Sequence, residues 1–204
     1  RGGMERMMTR EAFLSLVRQT LFKPREAARF LMGMQVPQAV LWQALALLSV
    51  LYTVVYTISL RLSPPAETSQ TLMPEAFQAP IMLALSLFAA LAVTVIALRA
   101  IGQGLGGTGE IADVLVLVTW LQVLRLVVQV GVLILALGSP PIAGLAIIVV
   151  AVWGLYIMIN FVDAAHDFDN RLKAFGVIIL SVVAMAIGLS ALLSLAGIML
   201  MGVR

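Results

Sequence analysis

An all-α fold, a polytopic membrane protein built as a bundle of five transmembrane helices with an amphipathic N-terminal arm, is predicted by three observations. Of the 204 residues, 62% are hydrophobic and 11% charged, where a soluble domain carries roughly 45–50% and about 25%. The apolar residues fall in runs free of Asp, Glu, Lys and Arg, from Phe30 to Leu60, Ala76 to Leu98, Leu126 to Val162 and Ala174 to Val203. The basic residues gather outside those runs. This composition excludes a water-soluble globule and a disordered chain. The absence of cysteine excludes a disulfide scaffold and thiolate chemistry.

The arm comes first, over residues 1–38. Thr9 reads as an N-cap with Glu11 in the first turn. Phe13, Leu14, Val17 and Leu21 share one helix face, opposite Glu11, Ser15, Arg18 and Gln19. Lys23-Pro24 ends that helix, and Pro24 opens a second with Arg25, Glu26 and Arg29 on its polar side. No compact apolar core precedes a small-residue cleavage site, so a secretory signal is not expected. The arm is expected to lie on an anionic inner leaflet.

The transmembrane domain follows over residues 39–204, with spans at about 39–60, 80–101, 114–137, 141–162 and 174–198. Each has the ~20 residues that cross ~30 Å of hydrocarbon. The run through Leu126 to Val162 is broken by Gly138-Ser139-Pro140-Pro141, a helix stop followed by a helix start. With the N-terminus inside, the inner segments hold Arg1, Arg6, Arg10, Arg18, Lys23, Arg25, Arg29, Arg99, Arg171 and Lys173, against Arg61 and Arg204 outside. This bias predicts a cytoplasmic N-terminus and an external C-terminus.

Three groups are candidates for chemistry. Arg125 lies 11 residues into its span, about 16 Å along the axis, with Gln122 and Gln129 on the same face. No carboxylate falls within a span. The stripe is therefore expected to face the bundle interior or a wet cavity, as a packing device or as a contact for an anionic solute or lipid headgroup.

The second group is the loop carrying Gly104, Gly106, Gly107, Gly109, Glu110 and Asp113. It contains a GxGxxG string but follows a transmembrane helix rather than a strand, so a nucleotide is not expected. A tight inner-face connection, with the two acids at the start of the next helix, is the reading, and a hinge is the alternative. The third group, Asp163, His166 and Asp167, has helical spacing suited to a metal or proton site, and the plainer reading is a solvated loop balanced by Arg171 and Lys173. No hydrolase or transferase motif is present, and no cofactor and no nucleic-acid partner are expected. Membrane lipids, a protein partner and a second copy of the chain are the partners considered.

Phe22 to Glu26 (Phe-Lys-Pro-Arg-Glu), the Gly106-Gly107-Thr108-Gly109 loop, the run from Leu115 ending in Thr119-Trp120-Leu121-Gln122, and Trp153 in the fourth helix together resemble the YIP1 family, over about residues 9–195. The similarity is to its short bacterial members. Eukaryotic relatives carry a long cytosolic N-terminal region and are associated with small Rab-type GTPases. The resemblance implies a fold and a membrane address, the bacterial inner membrane. The basic arm and inner loops point to a non-enzymatic organising or adaptor role, and the Arg125 stripe offers transport of an anionic solute or lipid headgroup as the alternative.

Overall fold

A computed structural model describes residues 10–62 and 79–201; the proposed Thr9 cap, Arg1, Arg6 and Arg204 lie outside the described residues. The described chain is helical: α1 (Arg10–Phe22), α2 (Pro24–Gly33), α3 (Gln38–Leu62), α4 (Pro80–Gly104), α5 (Ile111–Gly138), α6 (Pro140–His166) and α7 (Arg171–Met201). Five of them, α3 to α7, are long and apolar enough to cross a membrane. Pro24, Pro80 and Pro140 each stand in a first helical turn, where the missing N–H costs nothing. Ser139 alone joins α5 to α6 in extended backbone.

Burial divides the bundle along its length. Val114 to Thr119 on α5 and Asn160 to His166 on α6 are buried round the whole circumference, which requires neighbours on every side. Those neighbours are α2, which packs on both helices, and α3, α4 and α7. The outer helices contribute single stripes: Leu41, Leu45, Ser49 and Thr53 on α3, Leu91, Val95 and Leu98 on α4, and Ala174, Val177, Ile178 and Ser181 on α7. Toward the opposite end, large apolar side chains of α6 from Ile142 to Val152 are exposed. We call the packed end, which carries α1 and α2, the arm end. The core sits there, and the far halves present their apolar surface to lipid.

The serine and threonine hydroxyls along α3 are satisfied locally. Ser49, Thr53 and Thr57 donate to carbonyls four residues back, so they enter hydrocarbon without orphaned donors.

The arm is docked on the bundle. Pro24, Ala27, Ala28 and Leu31 are buried on α2, and Thr20 on α1. Trp120 Nε1 donates to Thr20 Oγ1 at 2.9 Å, Trp153 Nε1 donates to the Leu21 carbonyl at 3.2 Å, and Phe13 meets the Trp120 ring edge-on. Part of the face expected to meet lipid thus meets protein. Phe22 and Phe30, 69% and 55% exposed, point away from the bundle. Thr20→Val should keep the shape and lose the indole bond, lowering stability by about 1 kcal/mol, readable as a lower thermal midpoint in detergent with altered Trp emission.

Candidate functional site

Two polar clusters emerge, at different depths. The first gathers α2, the end of α6, the α6–α7 turn and the glycine loop at the arm end. Asp163 is fully buried, and its Oδ2 lies 3.1 Å from Arg25 Nε. The N–H points off the line between them, so the pairing is chiefly Coulombic. Asp163 Oδ1 accepts from the Asn170 backbone N–H at 2.9 Å, which fixes the turn after α6. In that turn Asp167 and Asp169 take left-handed backbone conformations, which Asp tolerates better than most residues. Arg25 Nη2 also donates to Asp169 at 2.5 Å. One guanidinium thus ties the arm to the last turn of α6 and to the loop beyond it.

The Arg25 hydrogen bond, and then its charge, hold the exposed Asp169 carboxyl below its ordinary value, and the same bond raises Arg25. A depressed carboxyl stabilises docking above its unfolded value of about 3.9 and loses that contribution as pH falls through that value toward the folded one. Arg25 stays charged throughout. Acidification from pH 7 to 3 should therefore loosen the arm, seen as increased protease access at α2, and Asp169→Asn should remove the part of that response due to this pair.

His166, expected in a solvated loop or a metal site, is buried. It is held in a socket. Its Nδ1 lies 3.1 Å from the Val162 carbonyl, the Arg99 carbonyl stands close by, and Phe168 stacks on the ring. A Cβ on Gly102 would fall within the imidazole; on Gly107 it would come within 2.6 Å of His166 Cβ, and on Gly109 within 2.7 Å of the Ala165 carbonyl. The Thr108 N–H donates to the His166 carbonyl, covering one of the acceptors that every helix leaves open at its C-terminus. Gly106 needs its glycine for a φ of 86°. Nothing in the structure explains Gly104.

The glycine loop therefore clasps the end of α6 and then starts α5: Glu110 is the N-cap, its backbone N–H donating to Asp113 Oδ2 at 3.1 Å in a capping box. Of the proposed metal trio, Asp163 faces Arg25, His166 faces the glycines, and Asp167 is exposed. Among the described residues no group of three metal-ligating side chains converges.

The second cluster surrounds Arg125. Its side chain is not enclosed by the chain's own helices but exposed, on the outer edge of the α3–α5 seam. Its Nη2 donates to the Tyr52 hydroxyl at 3.3 Å, and the guanidinium carbon lies 4.7 Å from the Tyr52 ring centroid, with Tyr56 stacked behind. Gln122 and Gln129 are half-buried, and neither amide makes a hydrogen bond among the described residues.

Sequence reasoning placed Arg25 on the polar side of the arm but missed its pairing with Asp163 and Asp169, the seating of His166 on Gly102, and Tyr52. A signal existed for two of them. A lone Asp at the end of an apolar helix needs a cation, and Tyr52 lies as many residues beyond Gln38 as Arg125 lies beyond Ile111.

Five spans with a core at one end, and polar residues consumed in clasping helices together, define an integral membrane protein. The chain matches the Yip1 domain over residues 18–192. It belongs to the YIP1 family. No curated protein and no solved structure matches it.

Proposed function

We propose that the protein is a non-enzymatic membrane organiser or adaptor, with the arm end facing the cytoplasm and the docked arm as its contact surface. The observation that carries this reading is the arm itself. Thr20 of α1 and Pro24, Ala27, Ala28 and Leu31 of α2 are seated on the bundle, and Arg10, Arg18, Lys23 and Arg29 are left exposed around them. Lys23 is paired with Glu26; the others present cationic groups suited to anionic lipids or an acidic partner surface. Asp163 and His166, which could have served catalysis, are enclosed in structural contacts. The orientation follows from the basic residues at that end.

Transport through Arg125 is less favoured, because the guanidinium faces outward from the chain rather than into an enclosed passage. Photo-crosslinkers placed at Arg18 and Arg29 in cells should give discrete adducts that Arg25→Leu, by releasing the arm, removes. Anion flux into vesicles above the protein-free background, abolished by Arg125→Leu, would overturn the adaptor reading.

A further inference from the structure

We propose that Arg125 and Tyr52 form a binding site for the phosphate of a net-negative phospholipid in the leaflet on the arm side, a role separate from the adaptor reading and independent of it. The argument begins with where the bilayer can lie. α5 has 28 residues and α6 has 27, about 40 Å each, and both exceed ~30 Å of hydrocarbon. The excess stands at the arm end, where both helices are enclosed by protein and where Asp163 and the basic arm cannot enter hydrocarbon at tolerable cost.

Trp120 and Trp153, which hold α1, mark the level of the arm, and such amphipathic rings favour the membrane interface. From Trp120 to Gly138 α5 rises about 27 Å. An arm sunk ~5–10 Å into the headgroup boundary, with Phe22 and Phe30 pointing away from the bundle, accommodates the remainder. Arg125 is five residues beyond Trp120, about 8 Å deeper. Helical side chains lean toward the helix N-terminus, which for α5 is the arm end. The guanidinium is thus directed toward the headgroups of that leaflet, although it is far from the end of its own helix.

The chemistry supports a phosphate there. Guanidinium offers five N–H donors, and the described residues engage one, through a neutral phenol. α3 contains no carboxylate, and α5 contains none beyond Asp113, 12 residues before Arg125. Gln122 and Gln129 hold spare amides on the same helix face. A planar donor fork matches phosphate bidentately, and the exposed cations of the arm favour a net-negative headgroup over a zwitterionic one.

The test uses the full chain in nanodiscs of phosphatidylcholine with increasing phosphatidylglycerol. Retained lipid is counted by native mass spectrometry, and thermal stability is recorded in parallel. Wild type should retain one phosphatidylglycerol more tightly than the rest, and it should be stabilised in steps that survive raised salt. Arg125→Leu should lose that lipid, Arg125→Lys should weaken its retention roughly tenfold because the fork is gone, and Tyr52→Phe should weaken it by a smaller factor with the fold intact. Equal retention by wild type, Arg125→Lys and Tyr52→Phe would overturn the proposal. So would Arg125-dependent stabilisation by inorganic phosphate in pure phosphatidylcholine, which would assign the site to a soluble anion.

Discussion

Replacing Arg25 by Leu is expected to cost about 3 kcal/mol of stability, the largest loss from any single change on the arm. Asp163 is fully buried, and among the described residues Arg25 is the only cation within ion-pair distance of it. Removing one member of a buried pair leaves an uncompensated charge, at about 3–5 kcal/mol. The lower figure applies because Arg25 keeps 29% exposure and water screens part of the interaction.

Two comparisons separate the ion pair from simple loss of packing. Asp163→Asn should cost less than Arg25→Leu, because its side-chain oxygen can still accept from the Asn170 N–H. The double variant should recover part of the Arg25→Leu loss, since no buried charge is then left unpaired. Thermal denaturation in detergent, followed by size exclusion, reads both. Strict additivity of the two changes would show that the ion pair contributes nothing.

Gly102→Ala is expected to be the most disruptive change of a single methyl. The added carbon would occupy the space of the His166 ring, and that ring is itself enclosed by Phe168 and the glycine loop. Overpacking of this kind costs about 1–3 kcal/mol, and the upper end applies because the ring has nowhere to move. Alanine regains up to ~1 kcal/mol of helix propensity, leaving a net loss of about 2 kcal/mol. Gly131→Ala on α5, where a Cβ meets nothing within 4 Å, keeps only the propensity gain and should be neutral or stabilising. Combining Gly102→Ala with His166→Ala should cost less than the sum of the two alone, because the methyl then enters the space the imidazole has left. A full loss in the double variant would place the damage elsewhere.

The reach of the sequence differed between these clusters. The spans were legible from charge-free runs, since hydrocarbon excludes charge whatever the tertiary arrangement. The Gly138-to-Pro141 break was legible because proline and glycine act on their own backbone. Glu110 and Asp113 were placed at the start of α5 by the helix dipole, a local property. Arg25, by contrast, looked like one more solvated cation of an amphipathic helix, and only the packing of α2 against α6 gives it Asp163 as a partner, 138 positions along the chain. The glycines read as a tight connection, with a hinge as the alternative, and not as a socket, because their spacing is visible while the imidazole they surround is not.

Sequence by itself determined that this chain is a five-span membrane protein of the YIP1 family with a basic arm at one end, because bilayer crossing depends on hydrophobic length and charge, both local properties. Tertiary structure alone decided what the remaining polar residues do. It turned Asp163 from a solvated loop residue into the buried fastening of the arm and His166 into the plug of the glycine socket, and it placed Arg125 on the exposed edge of the α3–α5 seam. The physical reason is the same in each case: the cost or use of a charge depends on what surrounds it, and these surroundings are assembled from helices distant in sequence.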